Sequence, residues 1–270
     1  MRRLLTAIMM LGLLLGSSFG GEIHCKHFWH GMPLGSVETN DLIIRDCYAV
    51  STNDETKFAD WVAYKLTYRE VNGTLPLKRD WETDPVLDDD ETLEAGTNDD
   101  YRGAAALRYD RGHLVPLASF RGSASAQEVN LYSVVVPQRV RLNRGVWNTI
   151  EGWERDLVGR YNTVYVVSGT LYERDMPPLP SSEVHRVPSG FWKTMIFQDR
   201  FTWMSISFVV DQQVARGVSP ADCLVSLSDI EKRTNLTLCP DLDSYRQASF
   251  KGAVNKAFVV EHLQRQVYSE

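Results

Sequence analysis

Four stretches of the chain mix apolar and polar positions at a period near two and are rich in aromatic and β-branched residues: 57–67, 164–168, 191–197 and 201–210. Such stretches predict the strands of one sheet, because alternate side chains of a strand point to opposite faces. Residues 142–157 follow a different rhythm. Val146, Trp147, Ile150, Trp153 and Leu157 recur at helical spacing, so an amphipathic helix is predicted there. On it Asn143, Trp147, Glu151 and Arg155, four residues apart, form a slowly drifting stripe that turns an amide, a carboxylate and a guanidinium toward one place. Residues 244–268 predict a further helix covering the sheet. The run at 88–100, DDDETLEAGTNDD, reads as a solvated acidic loop facing away from any anionic ligand, since it lacks the alternating ligands and central glycine of a calcium loop.

The first twenty residues change the picture of where the protein works. Two arginines, an apolar run from Leu4 to Leu15 and a small-residue stretch through Ser18 and Gly20 have the layout of a secretory signal peptide. Residues 21–270 are then expected to be a single domain, because no repeat and no Gly/Ser or Pro-rich linker divides them and 43% hydrophobic content supports one large core. No later run is long enough to cross a bilayer, which takes about 20 apolar residues, so no stable membrane association is expected. The predicted location is the periplasm or the medium. There an even number of cysteines implies disulfides. Cys25, Cys47, Cys223 and Cys239 allow three pairings, of which Cys25–Cys47 and Cys223–Cys239 close the shortest loops.

The net charge of −6 argues against passive, tight nucleic-acid binding, although a local arginine-lined cleft can remain positive. The chemistry concentrates in YDRGHLVPLASF at 109–120 and in residues 142–157. Hydrolysis of a phosphodiester needs a base for the attacking water and positive charge where the transition state gains negative charge. His113 is suited to the first task, and Arg111 to gripping phosphate oxygens through its planar fork. Asn143 offers a neutral carbonyl oxygen to a magnesium ion, which keeps most of its waters; Glu151 can accept hydrogen bonds from those waters. Singly each residue is weak: Asn143 alone reads as a helix N-cap and Arg155 as a surface partner of Glu151. A zinc site built on His24, Cys25, His27 and His30 is a rival reading, weakened by the lack of a second spaced ligand pair.

In order, Asp110-Arg111-Gly112-His113, Pro137-Gln138, the run Asn143 to Trp147, and Glu151 resemble the signature of the Serratia-type DNA/RNA non-specific endonucleases. This is the ββα-metal family that includes mitochondrial endonuclease G; the resemblance is closest to its secreted branch and runs from about residue 57 to 234. It implies an α+β fold: a central antiparallel sheet flanked by helices, with a ββα-metal motif. It also implies magnesium-dependent endonucleolytic hydrolysis of DNA and RNA to 5′-phosphate ends, with manganese as a substitute ion and, in some relatives, a homodimer. His113 matches the general base, Asn143 the direct metal ligand, Glu151 the ligand acting through water, and Arg79, Arg111 and Arg155 the phosphate-handling arginines. Asn130 falls where the family often has asparagine, with no role assigned. Asp110 is expected to orient its neighbours and Gly112 to permit close packing of strand on helix. Val134 departs from the pattern, standing where an asparagine is common. With the acidic charge it supports a second reading, an exported nucleic-acid-binding protein with a degenerate site. An imidazole base predicts activity falling below about pH 6.

Overall fold

The computed structural model describes residues 23–264, so the signal-like segment 1–20 and the end of the chain lie outside the described residues. Seven antiparallel strands form the main sheet: β1 (Leu42–Ile44), β2 (Ala49–Asn53), β3 (Phe58–Thr67), β6 (Thr163–Leu171), β7 (Gly190–Asp199), β8 (Thr202–Asp211) and β9 (Leu224–Val225), in the order β1-β2-β3-β6-β7-β8-β9. All four predicted strands fall inside it. Two further strands, β4 (Tyr109–His113) and β5 (Val135–Arg139), pair only with each other.

Both faces of the sheet are covered, which explains why the strands alternate only loosely. Along β3, Val62 and Tyr64 enter the larger hydrophobic cluster while Trp61 and Ala63 enter the smaller one; along β7, Phe191, Met195 and Phe197 go one way and Trp192 and Ile196 the other. A strand buried on both sides needs apolar residues at consecutive positions. The larger cluster takes Val71 from the short helix α1 (Tyr68–Val71) and is capped by β4, β5 and helix α2 (Asn148–Tyr161), the smaller by Trp29, helix α3 (Leu227–Thr234) and residues 236–242. Among the described residues no helix is long and apolar enough to cross a membrane.

Helix α2 is anchored by a buried ion pair. Lys193 on β7 meets Glu154, both side chains fully excluded from solvent. The Tyr64 hydroxyl donates to the same carboxylate oxygen at 2.9 Å and accepts from Lys193 at 2.9 Å, and the ammonium lies 4.8 Å from the centre of the Trp147 ring. A charge buried this deeply is tolerated because it is paired and hydrogen-bonded.

Three expectations are corrected. The helix predicted over 142–157 is interrupted: Leu142–Trp147 forms a wide, kinked turn in which Gly145 leaves helical geometry (φ −111°, ψ −113°), and regular helix begins at Asn148. The C-terminal helix divides into α4 (Ser244–Gly252) and α5 (Lys256–His262), and residues 265–268 lie outside the description. The expected disulfides are not formed. All four cysteines are free, and each expected pair is split between the two cores: Cys47 and Cys223 pack with the larger cluster, Cys25 and Cys239 with the smaller.

Candidate active site

β4 and β5 run antiparallel with Asp110 opposite Gln138, Gly112 opposite Val136 and His113 opposite Val135. The glycine is required by this pairing. A β-carbon at 112 would lie 2.2 Å from the side-chain oxygen of Gln138, so its close neighbour is a strand side chain rather than the helix expected from sequence. Alternation along β4 then puts Asp110 and Gly112 on one face of the strand and Arg111 and His113 on the other. The kinked turn and α2 follow β5, completing a strand-strand-helix unit.

Its concave side is a cleft of about 640 Å³ whose walls include Arg79, Trp81, Tyr101, Asp110, Arg111, His113, Asn143, Arg144, Asn148 and Glu151. At its base His113 is 9% exposed. The ring lies 5.0 Å from that of Trp81, and the Trp147 indole N–H donates to the His113 carbonyl at 3.2 Å. Nε2 is 3.0 Å from Oδ1 of Asn130, whose own Nδ2 donates to the Lys78 carbonyl at 2.9 Å. The second bond fixes the amide orientation, so Oδ1 must be the acceptor and Nε2 must carry the proton. Nδ1 is therefore the lone-pair nitrogen. Burial, reinforced by the charge of Arg79 and opposed by the Asn130 bond, lowers the imidazole pKa to about 4. The ring is neutral over the whole physiological range.

Asp110 organises the opposite wall. It accepts from Nδ2 of Asn143 at 3.1 Å and from Nε and Nη2 of Arg144 at 2.9 and 2.7 Å. Burial works against its ionisation, but the bonds from Arg144 and Asn143 hold its carboxyl below the usual range. With its nitrogen committed, Asn143 keeps its carbonyl oxygen as a free hard donor. Glu151, half-buried on the first turns of α2, is raised to about 7 by burial; Glu154 pushes the same way, while Lys193, Arg155 and Arg79 pull it down. A neutral carbonyl oxygen and a carboxylate waiting for compensating charge, on the walls of one polar cleft, suit a hydrated magnesium-like cation, which takes few protein ligands.

The structure brings together Arg79, Arg111, His113, Asn143 and Glu151 from the predicted set. Asn130 stands behind His113 rather than in the cleft. Arg155 does not line it: the side chain reaches Ser119 at 3.4 Å and borders a neighbouring cavity of about 620 Å³ with Arg121 and Arg160. Val134 is fully buried in the larger cluster, so its side chain contacts no ligand in the cleft. The histidine-rich segment forms no metal site. Both ring nitrogens of His27 are engaged, with the Arg45 carbonyl and the Lys65 amide, and among the described residues the metal-competent His/Cys/Asp/Glu group is Asp41, Asp54 and Glu91.

The family description "DNA/RNA non-specific endonuclease" matches residues 32–244, most of the chain. The chain belongs to this family. The nuclease of Serratia marcescens is 39% identical over 227 residues, covering 82% of this chain and 83% of that one. Human mitochondrial endonuclease G is 29% identical over 211 residues, 73% and 69% of the two chains. Among solved structures, a chain of the complex between EndoG and EndoGI superposes with a TM-score of 0.68 at 22% identity, covering 79% of this chain and 90% of that one; the shared fold is the mixed sheet-and-helix architecture described above.

Sequence reasoning about this non-specific endonuclease missed Trp81, Tyr101, Tyr132 and Asp99. The acidic loop expected to face away turns its last residues inward, where Asp99 pairs with Arg111. Nothing in the spacing announces that contact. The aromatic residues could have been suspected, since Trp81 follows Arg79 by two positions and Tyr132 follows Asn130 by two.

Proposed function

We propose that this family member is an exported endonuclease that hydrolyses phosphodiester bonds in DNA and RNA with little sequence preference, using magnesium and leaving 5′-phosphate ends. The observation carrying this reading is the neutral, tautomer-fixed imidazole of His113 in one cleft with the Asn143 carbonyl and the Glu151 carboxyl. In this reading Nδ1 of His113 accepts a proton from water as its oxygen bonds to phosphorus and the P–O3′ bond breaks. Asn143 would hold the cation directly and Glu151 through its waters, with manganese able to replace magnesium. The cation, when bound, supplies positive charge to the phosphate and the departing oxygen. Arg111 and Arg79 grip phosphate oxygens, and Arg155 reaches the strand beside the cleft.

Because water is the nucleophile, no 2′-hydroxyl is needed, which supports action on both polymers. Contacts from guanidinium groups to phosphates carry no base information. Residues 1–20 are assigned to a signal peptide and 21–270 to one nuclease domain, which supports export. The test compares wild type with His113→Ala on supercoiled plasmid and on single-stranded RNA, with magnesium and with EDTA. Metal-dependent cutting of both polymers that His113→Ala abolishes is expected; equal cutting by the variant would reject the base assignment.

A further inference from the structure

Arg111 is held on one edge before any substrate arrives. Its Nε donates to the Tyr132 hydroxyl at 2.8 Å, its Nη2 pairs with Asp99, and the Tyr132 hydroxyl donates to the other oxygen of Asp99 at 2.8 Å. The three contacts close a ring on the Nε/Nη2 edge of the guanidinium. Its carbon lies 5.8 Å from the centre of the Trp81 ring and 5.3 Å from that of Tyr101, so aromatic side chains border it as well. A guanidinium has five N–H donors in a rigid plane, and with one edge occupied the Nη1 end remains for a ligand. The pair is mostly buried, with the Arg111 and Asp99 side chains 28% and 20% exposed.

We propose that Asp99 and Tyr132 are positioning residues for phosphodiester hydrolysis, clamping one edge of Arg111 so that its Nη1 end meets the reacting phosphate in a fixed orientation. This rests on the function proposed above. The clamp has two separable effects. It removes rotational freedom from a long side chain before the reaction, which aids the transition state, and its carboxylate offsets part of the positive charge, which weakens ground-state attraction for the polyanion. Uniform attraction lowers KM without raising kcat.

The experiment measures steady-state kcat and KM on a duplex oligonucleotide with saturating magnesium for wild type, Asp99→Ala, Asp99→Asn and Tyr132→Phe, with thermal melting of each. Single-turnover rates are taken for Arg111→Ala and Asp99→Ala/Arg111→Ala. For Asp99→Ala, kcat is expected to fall about tenfold, as for a misoriented catalytic contact, while KM falls about threefold, the size expected when one partly exposed ion pair is released. Asp99→Asn, which keeps an acceptor oxygen, should retain kcat within about threefold and still show the lower KM. Tyr132→Phe should lower kcat in the same direction. In the Arg111→Ala background, removing Asp99 should change nothing further. The proposal is overturned if Asp99→Ala leaves kcat unchanged, or if it lowers kcat at constant KM and does so equally without Arg111, the signature of a smaller folded fraction. Absence of magnesium-dependent cutting by the wild type would instead overturn the functional reading, and the clamp with it.

Discussion

Asn130→Asp places a negative charge 3.0 Å from the His113 nitrogen that carries the proton, with almost no change in side-chain volume. In the wild type, burial holds the imidazole near 4; a carboxylate at the same distance stabilises the imidazolium and must raise it. A full charge pair at that separation is worth about 1.4 kcal/mol where screening is as strong as in water, or about one pKa unit, and several times more in a buried site. Opposite charges this close move pKa values by about 1–3 units. The acid limb of kcat/KM, which reports the free enzyme, should therefore move from about 4, already below the value near 6 expected from sequence, to between about 5 and 7. A base must be unprotonated to work, so the variant loses activity at pH 5–6 while keeping most of it at pH 8. The assay is kcat/KM on duplex DNA at constant ionic strength and saturating magnesium, with circular dichroism at each pH. The new carboxylate also faces the Lys78 carbonyl that Nδ2 formerly served, and a lost buried hydrogen bond costs about 1–3 kcal/mol, visible as a lower melting temperature. A folded variant whose acid limb stays in place would refute either His113 as the titrating base or the tautomer assigned to it.

Asp110→Asn weakens the acceptor that holds the Asn143 amide and the Arg144 guanidinium; the magnesium concentration for half-maximal rate should rise about 10–100-fold, as for other groups that orient a metal ligand, and an unchanged requirement would detach Asp110 from the metal. Glu151 sits near 7, and below that pH a proton must leave before the carboxylate can serve a hydrated cation. Apparent magnesium affinity should thus fall by up to about tenfold per pH unit below 7, measured as activity against magnesium at several pH values; a flat profile would contradict it. Lys193→Met leaves Glu154 buried without its cation and should cost about 3–5 kcal/mol in urea unfolding. Adding Glu154→Leu should recover most of that, whereas equal loss in the double variant would show that the pair itself, and not an orphaned charge, sets stability.

The sheet was legible because its strands carry enough β-branched and aromatic residues to be found even though burial on both faces blurs the alternation. The site was legible where function follows from neighbours in sequence: Arg111 and His113 leave the same strand, and Asn143 and Glu151 reach the same cleft. The route differs from the one predicted: the kink at Gly145 breaks the helical stripe between Asn143 and Glu151, and Arg155, one turn beyond Glu151 on regular helix, reaches Ser119 instead of the cleft. Helical spacing alone assumes that the helix continues, and a glycine within the run is the signal against it. Pairings between distant segments were not legible. Asp99 on Arg111 and Asn130 on His113 depend on how the loops at 88–100 and 121–134 close over β4, which no local periodicity encodes. The cysteines failed for a related reason. Short loop length favoured each expected pair, but closing a loop requires its ends on the same side of the sheet, and these pairs are divided by it.

The charge distribution follows a consistent logic that net charge conceals. An acidic chain must still attract a polyanion, yet arginines left uncompensated would hold substrate and product alike. In this cleft Arg111 is matched by Asp99 and Arg144 by Asp110, and each carboxylate also holds a second group, the Tyr132 hydroxyl or the Asn143 amide. Arg79 differs: it is exposed and, among the described residues, makes no ion pair. Binding strength that is equal for substrate, transition state and product does not speed the chemical step. Carboxylates that neutralise cleft arginines while fixing their geometry shift the balance from indiscriminate attraction toward contacts that gain strength only as charge builds on the reacting phosphate, which is the demand a non-specific nuclease on a long polyanion has to meet.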